Sequence, residues 1–351
     1  MKNTRQIKVG DRFLGGDAPI LVQSMCNTDT ADINSTVTQI NELAAQGCDI
    51  IRVAVPDFDA ANALKEIKKN ISIPLVADIH FDYRLAVESA KNGADKIRIN
   101  PGNIGGEDKL REVIAACKDR NIPIRVGVNS GSLDRELLNK YGNTPRALAE
   151  SAMRSVSLLC DRGFEDICIS IKSSSVFKTV KTYRLVSEMC DFPLHLGVTE
   201  AGGEEMGTIK SAAAFGALLV DGIGDTLRVS LTDDPVKEVV AAKKILKALD
   251  LHTSGVNIIS CPTCGRTKVD LIPLAAHIEK RLCGVKTKLN VAVMGCAVNG
   301  PGEAREADIG IACGKGEGLI FKHGEILYKV PENELADKLI EEIEKMTGEK
   351  I

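Results

Sequence analysis

The 351-residue chain has no tryptophan, and aromatic residues make up only 3% of it. That excludes the stacking platforms on which single-stranded nucleic acid is held. A dominant charge is lacking too. With a formal net charge of -3 the surface is no general trap for a polyanion, so any anion site must be built locally. No apolar run reaches membrane-spanning length and none follows Met1-Lys2-Asn3-Thr4, so neither a membrane span nor an export signal is expected, and a cytoplasmic location is. Eleven cysteines without such a signal point to reduced thiols or a metal rather than a disulfide framework. Two domains are expected at this length.

What is present, as far as about Leu249, is one plan repeated: a short β-branched run, a turn, and an amphipathic helical stretch. Strands are predicted at Ile20–Gln23, Ile50–Val55, Leu75–Ile79, Lys96–Ile99, Ile124–Val128, Ile167–Ile171, Leu194–Val198 and Thr226–Leu231. Eight such units in about 250 residues are what a (β/α)8 barrel of the TIM type requires, with a doubly wound sheet as the rival. Four strands carry an arginine between aliphatic residues, as in Ile97-Arg98-Ile99. Alternation sends the aliphatics under the helices and the arginine to the opposite face.

Applied to every strand, the rule predicts an inward set of Gln23, Arg52, Asp78, His80, Arg98, Asn100, Arg125, Asn129, Ser170, Lys172, His195, Thr199, Arg228 and Ser230. One or two of these arginines are expected to pair with Asp78. Five inward cations (Arg52, Arg98, Arg125, Lys172, Arg228) still outnumber the carboxylates, which is costly in a low dielectric unless an anion arrives. Guanidinium forks suit phosphate, so a small polyanion is the expected ligand. Strand C-termini and the loops after them carry the chemistry of such barrels, and Asp78, His80, Asn100, Asn129, Lys172 and Glu200 fall there.

From Gly255 the texture changes to a compact α+β module. Cys261-Pro-Thr-Cys264-Gly-Arg and Met294-Gly-Cys296-Ala-Val-Asn-Gly-Pro-Gly-Glu303 each follow a β-like run. Cys296 has no second close Cys or His of the kind a zinc ribbon needs. Three thiolates and one hard oxygen suit a four-iron cluster, one iron of which lacks a thiolate, better than closed tetrahedral zinc. Cys283 and Cys313 read as structural thiols, and Gly314-Lys-Gly-Glu-Gly318 as a hairpin rather than a nucleotide loop.

With Val198-Thr-Glu200-Ala-Gly and Val76-Ala-Asp78-Ile-His80 added, these motifs resemble the 4-hydroxy-3-methylbut-2-enyl diphosphate synthase family over essentially the whole chain. The resemblance implies a barrel at residues 1–252 that binds 2-C-methyl-D-erythritol 2,4-cyclodiphosphate, and a cluster domain at 253–351 that holds a [4Fe-4S] cluster. It implies Cys261, Cys264, Cys296 and Glu303 as cluster ligands. Arg52, Arg98, Arg125, Lys172 and Arg228 would hold the diphosphate, with Asn129 and Ser230 as neutral partners. Glu200 would be an acid near the reacting carbon, and Asp78, His80 and Asn100 further substrate-side residues. Flavodoxin or ferredoxin is the implied electron donor, since no dinucleotide fingerprint is present.

In a (β/α)8 barrel the last helix ends at the face opposite the mouth. The few residues of Leu251–Gly255 cannot easily carry the cluster domain back past a helix of about 24 Å, so a homodimer in which it caps a partner's barrel is expected. Two rival readings stand beside this one: a pterin- or corrinoid-type barrel methyltransferase with a zinc-stabilised appendage, and a cluster-based redox sensor.

Overall fold

A computed structural model describes residues 3–129, 131, 133, 135–296 and 307–351, and the chain divides into two units at 251/252. The first opens with a small antiparallel hairpin, β1 (Ile7–Val9) and β2 (Arg12–Leu14). The eight strands that follow are β3 (Leu21–Met25), β4 (Ile50–Ala54), β5 (Leu75–Asp78), β6 (Lys96–Ile99), β7 (Ile124–Asn129), β8 (Ile167–Lys172), β9 (Leu194–Gly197) and β10 (Thr226–Arg228). They pair in parallel in sequence order, and β10 returns to β3 to close a barrel. The barrel is therefore present, and the doubly wound alternative is not.

The helices around it are α1 (Ile33–Ala45), α2 (Phe58–Lys69), α3 (Tyr83–Lys91), α4 (Glu107–Arg120), α5 (Arg135–Tyr141), α6 (Pro145–Cys160), α7 (Val176–Met189), α8 (Glu204–Val220) and α9 (Pro235–Ala248). Several start where a short polar side chain captures a free amide, as Asp57 does from Ala60 N at 2.9 Å and Thr144 from Ala147 N at 3.4 Å. Alternation divides each strand as expected. Ile97 and Ile99 join the core beneath the helices, while Arg98, between them, is buried on the interior side.

The hairpin was not foreseen from the sequence. Ile7, Val9 and Leu14 pack against Leu21, Ile50, Val76 and Cys168, which stand at or near the starts of their strands. The hairpin thus closes the N-terminal end of the barrel with an apolar layer, and the C-terminal end carries the polar groups.

In the second unit β11 (Val256–Ser260), β12 (Leu289–Met294) and β13 (Ile309–Cys313) are parallel, and β14 (Glu317–Lys322) and β15 (Glu325–Pro331) extend the sheet antiparallel. Helices α10 (Leu271–Leu282) and α11 (Leu335–Thr347) bury Leu271, Ile278, Leu339 and Ile343 against Val291, Val293, Ile309 and Ile311. The run at 314–318 is a hairpin turn, as its composition suggested. Among the described residues no helix is long and apolar enough to cross a membrane.

Candidate functional site

At the C-terminal end of the barrel a pocket of about 400 Å³ is lined by Arg52, Asp78, His80, Arg98, Asn129, Lys172, Thr199 and Glu200, with Gly131. Each comes from a strand or the loop after it, so six successive strands, β4 to β9, contribute to one space. Asp78 is its central carboxylate. It takes a 3.0 Å bond from Arg98 Nη1 and stands 3.8 Å from Arg52 Nε and 3.5 Å from His80 Nε2. Burial alone would raise its pKa, but Arg52, His80 and Arg98 together hold it far below the ordinary carboxylate range.

Arg52 also points Nε and Nη2 at Met25 Sδ, at 3.0 and 2.7 Å, and Arg228 Nη1 lies 3.5 Å from the same sulfur. A thioether is a weak acceptor. An anionic oxygen offered to those guanidiniums is a far better partner. Lys172 is pushed well below the usual lysine range, first by Arg52 and then by burial, Arg125, Arg228 and Arg98. A lysine so surrounded marks a field that favours negative charge.

Not every expected residue reaches the pocket wall. Arg125 is fully buried beneath it, with Nη1 on Gln23 Oε1 at 3.0 Å, and burial pushes its pKa down to about 10. Arg228 lies against Glu238 of α9, with contacts of 3.1 and 3.2 Å. Asn100 caps the 3-10 turn at Pro101–Asn103 by accepting from Gly102 N at 3.2 Å, and Ser230 does not line the pocket. His195 is buried and held neutral, by burial first and then by Arg125 and Lys96.

Three contributors escaped the sequence reading. Glu238 is 3% exposed and also accepts from Ser24 Oγ and Leu231 N, so it is an internal counter-ion and not a helix-surface acid. Gly127 leaves the room that Arg98 fills, since a Cβ there would stand 2.4 Å from Arg98 Nε. Lys96 shares the interior face with Arg98, and the parity of its strand could have revealed it. With Lys96, six inward cations face the carboxylates of Asp78 and Glu238, and the excess stays positive.

Glu200 has φ 53°, the left-handed region where a non-glycine residue is strained. That turn places Glu200 in the lining of the pocket.

The second unit places Cys261 after β11 and Cys296 after β12, on neighbouring parallel strands. The amide of Gly295 donates to Cys261 Sγ at 3.2 Å, one residue before Cys296. Cys264 is exposed on its loop, and its pKa is lowered by the amide of Arg266, with Thr267 and the Arg266 charge adding to the effect. Among the described residues no three His, Cys, Asp or Glu side chains form a ready-made metal group. Glu303 lies outside the described residues. Cys283 is exposed at the end of α10. Cys313 is buried with its pKa pushed up to about 12, by burial first.

The residues present fit an iron–sulfur cluster. They supply soft thiols, an amide donor on the Cys261 sulfur, a thiol biased toward thiolate, and at Gly295 a glycine whose Cβ would meet Thr267 Cγ2 at 2.9 Å.

Comparison with known proteins agrees with both units. Residues 4–243 match the GcpE TIM-barrel domain and residues 257–345 the GcpE protein C-terminal domain. Curated relatives named 4-hydroxy-3-methylbut-2-en-1-yl diphosphate synthase (flavodoxin) include the protein of Caldanaerobacter subterraneus, 62% identical over 99% of this chain and 98% of that protein. That of Geobacter sulfurreducens is 59% identical over 99% of each chain. Among solved structures, dihydropteroate synthase from Stenotrophomonas maltophilia superposes with a TM-score of 0.52 at 14% identity, covering 70% of this chain and 98% of that one. At that identity the likeness is one of fold alone.

Proposed function

The chain belongs to the GcpE family, and from that premise we propose that it catalyses reductive ring opening and dehydroxylation of 2-C-methyl-D-erythritol 2,4-cyclodiphosphate to 4-hydroxy-3-methylbut-2-en-1-yl diphosphate. The observation that carries this reading is the convergence of Arg52, Arg98 and Lys172 on one pocket, with Arg125 and Arg228 behind them and too few carboxylates to balance the group.

In this reading Arg52, Arg98 and Lys172 grip the diphosphate directly. Arg125 and Arg228 strengthen the field from beneath and beside them. When the ring C–O bond breaks, negative charge collects on the departing phosphate oxygen, and cations already in place stabilise it without reorganising. Asp78 keeps two of the guanidiniums splayed on either side of its carboxylate, so they meet the ligand as a preformed pair. Asn129 and Thr199 serve the neutral hydroxyls of the substrate, and His80, more than half exposed, stands at the entrance. The hydroxyl leaves as water and needs a proton, which Glu200 supplies at the rim.

Cys261, Cys264, Cys296 and Glu303 are the proposed cluster ligands. Bound there, a [4Fe-4S] cluster supplies the two electrons one at a time. Flavodoxin, which the relatives carry in their names, is the proposed donor. The proposed assembly is a cytoplasmic homodimer. The short segment 249–255 between α9 and β11 supports a cluster unit that serves the barrel of a second copy.

The test is anaerobic purification with iron and sulfide analysis, followed by turnover of the cyclic diphosphate with reduced flavodoxin. About four irons per chain and diphosphate product are expected. A colourless protein that contains zinc and leaves the cyclic diphosphate intact would overturn the reading.

A further inference from the structure

Below the pocket floor the barrel holds a tier of polar groups that the proposed reaction does not use. Lys96 opens β6 two residues before Arg98, so both face the interior, with Lys96 nearer the closed end. Its register partner on β5 is Val76, part of the apolar layer sealed by the hairpin. Lys96 is fully buried, and its Nζ has no hydrogen-bond partner.

The groups that face it are Arg52 from β4, Arg125 from β7, Cys168 from β8 and His195 from β9, with Arg98 next along its own strand. None of these is a carboxylate. The nearby acids are already taken up, Asp78 by Arg98 and Arg52 and Glu238 by Arg228.

An apolar side chain would fill this position without any desolvation penalty, as Val76 does beside it. A permanent charge would stand among arginines with no counter-ion. Lysine differs from arginine in that it can give up its proton. The position therefore suits a group whose charge follows the contents of the pocket above.

We propose that Lys96 is a positioning residue of the anion pocket, less fully protonated while the pocket is empty than when a diphosphate is bound, so that above neutral pH substrate binding draws in a proton. The proposal rests on the diphosphate reading of the pocket. In the free protein Lys96 is held down to about 8, by burial first, with Arg125 and Arg52 adding to it and Cys168 opposing. A bound polyanion cancels the field of those arginines and raises that value. The contribution of Lys96 to affinity is then full below its free-state value, and it is lost as pH rises through the higher bound-state value. Lys172 responds with the same sign from the pocket wall, so the test must remove Lys96 alone.

The experiment is calorimetric titration of the unreduced holoenzyme with 2-C-methyl-D-erythritol 2,4-cyclodiphosphate, without reductant, in buffers of different ionisation enthalpy. At pH 8 the Lys96→Met variant is expected to take up roughly half a proton fewer than the wild type. Its affinity at pH 7 should fall about tenfold, the equivalent of one unit of lost linkage, and its kcat should stay within about twofold. Lys96→Gln, a second neutral replacement, should behave alike.

Proton uptake in Lys96→Met equal to that of the wild type would overturn the proposal. So would loss of the folded barrel in both variants, which would make the residue structural. A wild type that binds no cyclic diphosphate would sink the reading of the pocket itself, a result distinct from either.

Discussion

Replacing Asp78 by Asn removes one negative charge from the most basic part of the barrel and leaves the side-chain shape intact. In the folded protein the carboxylate is 4% exposed and holds Arg98 at 3.0 Å, Arg52 at 3.8 Å and His80 at 3.5 Å. Its pKa is depressed on folding. It therefore contributes stability that is present above the unfolded value of about 4 and lost as pH falls through the folded one. At pH 7 the whole contribution is in place. In the Asn variant two buried guanidiniums lose their counter-ion. Removing one partner of a buried pair costs about 3–5 kcal/mol. The amide oxygen of Asn still accepts from Arg98, so the lower end, about 3 kcal/mol, applies. At about 2–4 °C per kcal/mol for a unit of this size, Tm should fall by about 6–12 °C. A bound diphosphate restores negative charge beside the same guanidiniums, so it should raise the Tm of the variant by more than that of the wild type. Scanning calorimetry of the anaerobic protein at pH 7, with and without the cyclic diphosphate, measures both quantities. A variant as stable as the wild type, or one that gains no more from the diphosphate, refutes the role of Asp78 as internal counter-ion.

Glu200→Gln should lower kcat about 100-fold or more while iron content and KM stay near those of the wild type, as steady-state kinetics would register. Glu200→Gly removes the carboxylate and the left-handed strain together, so it should be equally inactive yet melt slightly higher than Glu200→Gln. Gly127→Ala places a methyl group 2.4 Å from Arg98 Nε and should drive that guanidinium off Asp78, raising KM at least about tenfold with the cluster retained. Gly295→Ala crowds Thr267 and Leu271 behind the amide that serves Cys261, and iron analysis should find fewer than four irons per chain, with barrel binding of the diphosphate unchanged.

What could be read from the sequence divides along a physical line. Alternation is a local rule, so Ile97-Arg98-Ile99 announces both its strand and the face on which the arginine stands, and the structure agrees to within a residue or two at the strand ends except at β10, which stops at Arg228, three residues short of the expected Leu231. Cys261 and Cys296 were legible for the same reason: each ends a short apolar run, and parallel strands bring such ends to one edge of a sheet. The hairpin at 7–14 was not, because three-residue strands carry almost no periodicity and its apolar faces find their partners in β3, β4, β5 and β8. Charge state was the least legible quantity. It depends on pairs such as Arg125 with Gln23, 102 residues apart, which the closed barrel brings together. Glu238 makes the point most sharply, since on α9 it reads as one more acid on a solvated helix face, and only the packing of α9 beside β3 and β10 turns it toward Arg228. A strand therefore tells where a side chain points before anything tells how it is charged. The electrostatic character of this pocket belongs to the closed barrel, because closure sets which cations keep a counter-ion and which are left for an anion to satisfy.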